Sequence, residues 1–251
     1  MNRADVLLVE GGWVSSRAQA ARIIKQGGVR YGKGDDWQVL SKPSLKLPDD
    51  TEFQLDDLDE LQYVSRGALK LKAAVEFSGI ELTGKSALDV GQSTGGFTDY
   101  LVQSGIARVV GVDVGRDQLD GKLREHPKVT CLEGVNAREL PETLLEYEPQ
   151  GFDVIVMDVS FISQSLILPN LGRFLKPKGF LISLVKPQFE VGKENIGKGG
   201  LVRDAGLYPQ VKARIQREVE ALGFEVQGYL ESPIKGGDGN REFLLIAQRV
   251  N

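Results

Sequence analysis

The sequence predicts an α/β fold in which a mostly parallel sheet with an antiparallel last strand follows a small α+β module. Three observations predict it. Strand-like and helix-like segments alternate from about residue 64 to the C-terminus, the mark of an α/β sheet. The run Asp89-Val90-Gly91-Gln92-Ser93-Thr94-Gly95-Gly96-Phe97-Thr98-Asp99 follows a short apolar segment and opens a helix. The two segments that close the chain, at 224–230 and 242–248, have no long helix between them. They must pair antiparallel, because a parallel crossover needs more residues.

The first module runs to residue 58. Residues 5–10 read as a short helix. Ser15 and Ser16 are natural N-caps for a second helix through about Gln26, which Gly27-Gly28 ends. Short strands follow near 29–31, 37–40 and 52–55, with Gly32-Lys33-Gly34-Asp35-Asp36 as a turn. Between Ser16 and Lys33 stand five cations (Arg17, Arg22, Lys25, Arg30, Lys33) and no acid. Between Asp49 and Glu60 stand seven acids and no base. A basic patch followed by an acidic connector suggests two modules with different jobs. The cations fall on the second helix and the strand after it, on one face, as a phosphate-binding surface requires. A solvated helix face is the alternative.

An acidic linker at 59–63 leads to the second module, 64–251. A helix is expected over 66–79. Strands are expected over 86–90, 108–113, 129–133, 154–158 and 180–186, with helices near 97–104, 164–173 and 208–222. Cys131, within Val129-Thr130-Cys131-Leu132, reads as a buried strand residue. His126 precedes Pro127 and reads as a loop residue.

Composition excludes several classes. A net charge of −4 does not advertise nucleic-acid binding; its distribution says more than the sum. One cysteine excludes an internal disulfide framework and fits a reducing cytoplasm. With one histidine and one cysteine, neither a His/Cys zinc cluster nor a Ser-His triad is expected, and no metal is. No apolar run is long enough to span a bilayer. Met1-Asn2-Arg3-Ala4-Asp5 lacks the basic start and uninterrupted apolar stretch of a signal peptide.

The glycine run carries the chemistry. Its spacing is G-x-x-x-G-G, not the G-x-G-x-x-G that seats a pyrophosphate at a helix N-terminus. An acid ends the strand, and small residues then let a ligand lie against the backbone. That pattern suits S-adenosylmethionine, which has a cationic amino-acid tail and no phosphate, in a Rossmann-like methyltransferase. Asp89 can hold the ammonium, Gly91, Gly95 and Gly96 allow close approach, and Ser93 and Thr94 can supply hydroxyl or backbone contacts. Phe97 reads more readily as core. Asp113 ends the next strand about twenty residues on, placed for both ribose hydroxyls, as in dinucleotide enzymes. Asn136 follows the third strand and can meet the adenine edge. Asp158 ends the fourth, beside the expected methyl group.

Three further segments place charges at element ends: Tyr63-Val64-Ser65-Arg66-Gly67-Ala68-Leu69-Lys70, Leu184-Val185-Lys186-Pro187-Gln188-Phe189-Glu190, and Gly239-Asn240-Arg241-Glu242. With Asp158 they assemble Lys70, Lys186 and Glu242 from distant parts of the chain; a salt bridge or surface charge is the alternative for each.

These residues resemble known families. Arg3-Ala4-Asp5, Ser16-Arg17-x-x-Ala20 and Ile24-x-x-Gly27-Gly28-Val29 resemble the αL-type RNA-binding domain found in ribosomal protein S-four, with Tyr31 where that family usually has Asn. The whole chain is similar to the TlyA (hemolysin A) family, whose catalytic domain resembles FtsJ-type ribose methyltransferases. The resemblance rests on Ser65-Arg66-Gly67-Ala68-x-Lys70, the Ser93–Asp99 run, Val156-Met157-Asp158-Val159-Ser160-Phe161, Lys186-Pro187-Gln188-Phe189-Glu190 and Lys198-Gly199-Gly200-x-Val202-Arg203-Asp204. It implies methylation of a ribose 2′-hydroxyl, cytidine above all, in ribosomal RNA, with Lys70, Asp158, Lys186 and Glu242 as a catalytic tetrad. Asp158 and Glu242 are expected to orient Lys186, and Lys70 to position the nucleotide or its phosphate. Arg3, Arg66, Lys193 and Lys198 join the five cations above as RNA contacts. The glycine-rich segment 187–203 is expected to be a mobile loop that orders on RNA. Two departures stand out: Gln92 replaces a small residue, where it could crowd the cofactor's tail, and Tyr208 replaces a common His. Two other readings are an assembly factor with a relict cofactor site and, as the family label suggests, a membrane-lytic protein. The sequence offers no pronounced cationic amphipathic helix for the latter.

Overall fold

The computed structural model describes residues 1–14, 16–25, 27–34, 36–55 and 62–251. The chain divides into two compact units, Met1–Ser65 and Arg66–Asn251. Ser15, Gln26, Asp35 and the connector from Asp56 to Glu60, with most of the linker expected at 59–63, lie outside the described residues.

In the first unit, β1 (Asn2–Arg3) leads into α1 (Ala4–Glu10) and α2 (Arg17–Lys25). There follow β2 (Val29–Lys33), β3 (Asp36–Val39), β4 (Lys46–Leu47) and β5 (Glu52–Leu55). Ser16 caps α2, its Oγ accepting the Gln19 N–H at 3.2 Å. Strand β2 lies between β3 and β5, antiparallel to both, while β1 pairs with β4. Leu7 and Leu8 of α1, Ile23 and Ile24 of α2, Val29 and Phe53 share one core. The turn expected over 32–36 is tighter than the sequence suggests. Pairing runs through Lys33↔Asp36, because a Cβ at Gly32 would lie 2.0 Å from the Asp36 carbonyl oxygen. Glycine there lets the two backbones close up. Strands β1 and β4, at two residues each, are too short to show any period in sequence.

The second unit opens with α3 (Gly67–Ser78), ended by Gly79 at φ +66°. It continues through β6 (Ser86–Val90), α4 (Gly96–Gln103), β7 (Arg108–Asp113), α5 (Gly121–Arg124) and β8 (Val129–Glu133). Then come β9 (Phe152–Met157), β10 (Leu175–Val185), α6 (Leu207–Ala221), β11 (Phe224–Glu231) and β12 (Phe243–Arg249). The described strands form a seven-stranded sheet in the order β11-β12-β10-β9-β6-β7-β8. Strands β6 to β10 pair parallel, and β12 runs antiparallel to both β10 and β11. Every residue of β6 is buried, as a central strand covered on both faces requires. Leu88, Ile155, Met157 and Leu181 of the strands join Val211, Ile215 and Val219 of α6 in the main core.

Strand order reverses at β6: the chain first builds outward through β7 and β8, then returns to β9 on the other side. Loops at the carboxyl ends of β6 and β9 therefore leave in opposite directions and open a crevice, the usual ligand site of such sheets.

Three expectations are corrected. The helix expected over 164–173 is a series of short 3₁₀ turns, Gln164–Leu166, Leu168–Asn170 and Gly172–Phe174. Pro169 lacks an N–H and disfavours helix at the residue before it, so no continuous α-helix forms. Cys131 is half-buried rather than core, because β8 is the sheet's edge. Asp158 and Glu242 lie just beyond β9 and β12 rather than inside them.

Candidate active site

The carboxyl ends of β6, β7, β8 and β9 surround a cleft of about 360 Å³. Two glycines make room for it. Gly91 stands at φ +87°, and a Cβ there would lie 2.3 Å from the Asp158 carbonyl oxygen, so glycine alone lets the β6 loop press against the end of β9. Gly95, at φ +95°, sits under Leu119 and Leu123, which a Cβ would strike at 2.7 and 2.4 Å. Asp113 fastens the loop to β7, one carboxylate oxygen accepting the Ser93 N–H and the other the Gly115 N–H, both at 2.7 Å.

Gly91, Ser93, Asp113 and Asp158 line this cleft, with Val135, Ala137, Ile162 and Ile167 as apolar wall. Thr94 is exposed on the same loop. Gly95, Gly96 and Phe97 are buried behind it. Asn136 does not line the cleft as expected. Its Oδ1 accepts the Arg138 N–H at 3.0 Å, capping a 3₁₀ turn, and its neighbours Val135 and Ala137 face the cavity instead. Gln118 and Phe161 also line it, unexpected from sequence. Phe161 is 92% exposed at φ +64° and meets Phe189 at 5.3 Å between ring centres. An aromatic directly after a strand-end acid and serine was the signal available.

Asp89 is fully buried beneath the loop. Its Oδ2 accepts the Thr98 hydroxyl at 2.7 Å, and Thr98 in turn accepts from Gln92 Nε2 at 2.9 Å. Its Oδ1 has no partner among the described residues. Burial, with the Asp158 and Asp113 carboxylates nearby, pushes Asp89 up to about 7, although the Thr98 hydrogen bond opposes this. Gln92 does not crowd the cleft. Its side chain is buried over Gly111, where a Cβ would lie 2.0 Å from Gln92 Cδ.

The four expected catalytic residues gather at one end of the sheet. The parallel β9–β10 pairing brings Asp158 and Lys186 to the same end. The antiparallel β10–β12 register pairs Val185 with Phe243, so Lys186 and Glu242 stand one step beyond that pair. Helix α3 contributes Lys70. They form two ion pairs. Lys186 Nζ lies 2.5 Å from Asp158 Oδ1 and donates to Ser160 Oγ at 2.8 Å. Lys70 Nζ lies 2.5 Å from Glu242 Oε2. The expectation that Glu242 orients Lys186 directly is therefore corrected: its carboxylate is engaged by Lys70. Lys70 is itself buried against Glu242 rather than presented to a phosphate. Of the two pairs, Lys186–Asp158 reaches the cleft, through Asp158.

The expected RNA contacts are dispersed. Arg3 and Arg17 both bind the buried Asp5, at 2.9 and 3.1 Å. The Arg3 hydrogen bond, helped by Arg17 and opposed by burial, holds that carboxyl down at about 2. At about 100° per residue, Arg17, Arg22 and Lys25 share one arc of α2, opposite the buried Gln19, Ala20, Ile23 and Ile24. Arg30 and Lys33 differ in parity along β2 and so leave opposite faces, against the single face expected. In the second unit, Arg66 is half-buried before α3, and Lys193 and Lys198 are exposed. Segment 187–203, expected as a mobile loop, holds three 3₁₀ turns and an antiparallel bridge between Ile196 and Val202. No described helix is long and apolar enough to cross a membrane, and the described residues contain no cluster of His, Cys, Asp and Glu able to hold a metal.

Residues 63–249 match the FtsJ-like methyltransferase family. The chain belongs to that family. It is 41% identical over 248 residues to the 16S/23S rRNA (cytidine-2'-O)-methyltransferase TlyA of Mycobacterium tuberculosis, covering 97% of this chain and 88% of that one. Hemolysin A of Brachyspira hyodysenteriae is 37% identical over 243 residues, covering 96% and 98%. A solved Streptococcus thermophilus structure of a proposed hemolysin aligns over 99% of this chain and 88% of that one, at 38% identity and TM-score 0.75. Within the FtsJ-like methyltransferases the chain thus groups with the TlyA/hemolysin A proteins. Aeropyrum pernix fibrillarin, solved with bound S-adenosyl-L-methionine, shares the fold at 16% identity and TM-score 0.50, over 72% of this chain and 75% of that one.

This FtsJ-like domain is that of an S-adenosylmethionine-dependent methyltransferase, and the residues present fit the cofactor. The glycine loop has no room for side chains at Gly91 and Gly95, a buried carboxylate oxygen of Asp89 stands without a partner, and apolar walls face Asp113 across the cleft.

Proposed function

We propose that the chain transfers a methyl group to the 2′-hydroxyl of a cytidine ribose in ribosomal RNA of the small subunit, the large subunit or both. The observation that carries this reading is the Lys186–Asp158 ion pair at the cofactor cleft. The curated relatives named above support the substrate. Bound S-adenosylmethionine supplies an activated methyl on a cationic sulfur. Gly91 and Ser93 would lie along it, Asp113 would accept its ribose hydroxyls, and Asp89 would compensate its ammonium. Val135, Ala137, Ile162 and Ile167 would enclose its base.

A ribose hydroxyl is a weak nucleophile near neutral pH. Lys186 Nζ donates to its oxygen, holds it in line and stabilises the oxyanion character that develops as the hydroxyl proton passes to water. Asp158 and Ser160 keep that ammonium in one place. Lys70 and Glu242 form a buried, mutually compensated pair on the neighbouring strand end, which supports the Lys186 segment without adding net charge. Much of the acceleration comes from alignment. In the first unit, Arg17, Arg22 and Lys25 of α2 would grip phosphates, in keeping with its resemblance to αL-type RNA-binding domains, with Arg3, Arg30, Lys33, Arg66, Lys193 and Lys198 as further RNA contacts. The reading places the protein in the cytoplasm, with ribosomal subunits.

The test is transfer from labelled S-adenosylmethionine to unmodified ribosomal subunits by wild type and Lys186→Ala. We expect label in ribose, falling at least about 100-fold in the variant while cofactor affinity stays within a few-fold. Absence of transfer by a wild-type protein that binds cofactor would overturn the substrate; undiminished transfer by the variant would overturn the role of Lys186.

A further inference from the structure

The segment between Lys186 and α6 is tied back to the loop that leads through Glu242 into β12 by a buried side chain. Asn240 is 2% exposed and stands two residues before Glu242. Its Nδ2 donates to the Gly200 carbonyl at 2.9 Å, and its Oδ1 accepts the Val202 N–H at 3.2 Å. Its own backbone carbonyl accepts the Gly236 N–H at 2.9 Å, which closes the turn around it. Gly236 packs against the other oxygen of Glu242, where a Cβ would lie 2.5 Å from Oε1. One amide thus joins two segments 40 residues apart in sequence.

What it grips is a small hairpin. Ile196 bridges Val202, the Gly197 N–H donates to the Leu201 carbonyl at 2.7 Å, and the Arg203 N–H donates to the Asn195 carbonyl at 3.0 Å. Gly199 and Gly200 turn the hairpin at positive φ, so its backbone has little intrinsic stiffness. Few buried apolar groups hold it: Leu201 is exposed, and Ile196 and Val202 are only half-buried. Lys193 and Lys198 are exposed on it, with no ion-pair partner among the described residues. The hairpin is therefore continuous with Lys186 at its root and docked beside Glu242 at its turn.

We infer that Asn240 is a positioning residue: it latches this hairpin so that its cations stand ready for a polyanion entering the Lys186–Asp158 site. The role in substrate capture rests on the RNA reading above; the latch itself does not. A latch of two hydrogen bonds stabilises the docked hairpin only modestly. Cutting it leaves the cofactor cleft intact, because Asn240 does not line that cleft.

The test uses the full chain. Limited digestion with trypsin reads whether the bonds after Lys193, Lys198 and Arg203 are protected. We expect slow cleavage there in wild type, fast cleavage in Asn240→Ala, and an intermediate rate in Asn240→Asp, which keeps the acceptor for Val202 and loses the donor to Gly200. In methyl transfer, Asn240→Ala should raise the KM for ribosomal RNA about tenfold with kcat and cofactor affinity little changed. Amide hydrogen exchange of the unaltered protein reads the latch without any substitution: protection at Val202 is expected. Exchange at Val202 as fast as in an open loop, or a hairpin equally resistant to trypsin with and without Asn240, overturns the latch. A latch seen by digestion and exchange with an unchanged KM overturns its role in substrate capture. If wild type methylates no ribosomal RNA, the function proposed above fails, and digestion and exchange still decide the latch.

Discussion

Asp89 and Asp5 are both buried carboxylates, and their surroundings push them in opposite directions. Asp5 gains two guanidinium partners, so its ionised form is favoured. Its contribution to stability is present above the ordinary carboxylate range and is lost as pH falls towards about 2. Asp89 has one hydroxyl donor and no cation, and burial dominates. With a pKa raised to about 7, its protonated form is the stable one in the folded chain; stability is full below the ordinary carboxylate pKa and falls as pH rises through about 7. We therefore expect Asp89→Asn to remove this dependence. In thermal melts without cofactor, wild type should lose stability relative to Asp89→Asn between about pH 4 and about pH 7, and parallel curves would refute the assignment. A cation placed beside Asp89 should lower its pKa, so cofactor binding should release a proton below about pH 7. The spacing of the motif marked Asp89 as important; its complete burial and its Thr98–Gln92 hydrogen-bond chain were invisible in it.

At the scale of elements, the loop between β6 and α4 is shaped by what β7 leaves open. Gln92 fills the space over Gly111, and its amide also holds the Thr98 hydroxyl. A methyl at Gly111 must displace that amide, since overlap at 2.0 Å leaves no alternative. We expect Gly111→Ala to cost about 1–3 kcal/mol and to weaken cofactor binding, because the glycine loop moves with Gln92. Adding Gln92→Ala to Gly111→Ala should restore most of the loss in a double-mutant cycle measured by denaturant unfolding. Additive losses would show that the two residues do not share the space. The strands β6, β7 and β8 were readable to the residue, because short apolar runs between glycine and charged punctuation have few alternatives. The helix expected over 164–173 was not, because Pro169 breaks it into short 3₁₀ turns.

At the scale of the whole molecule, charge is segregated along the sequence of the first unit, cations between Ser16 and Lys33 and acids between Asp49 and Glu60. Net charge is −4, yet the arc of α2 away from its buried face carries the exposed Arg17 and Lys25 and the half-buried Arg22. If these residues meet phosphates, replacing all three with Gln should weaken binding to ribosomal RNA and flatten its salt dependence. The slope of log K against log salt should fall by about 2, while cofactor affinity is unchanged. An unaltered slope would leave α2 as a solvated face. Arg3 and Arg17 have a second role beside the RNA contact proposed for them, since both hold Asp5. Their charge was visible in sequence, but not the buried Asp5 that both of them hold.

The alternation of segments, the G-x-x-x-G-G loop and the strand-end acids were enough, by themselves, to set the α/β class, the antiparallel close and S-adenosylmethionine as the cofactor. Those features are local: a period, a turn that only glycine can make, an acid beside it. Which charge meets which was decided only by the fold. Lys186 pairs with Asp158 and Lys70 with Glu242 because parallel and antiparallel registers bring strand ends together across the sheet. Sequence separation carries no information about such distances, and an ion pair depends on little else.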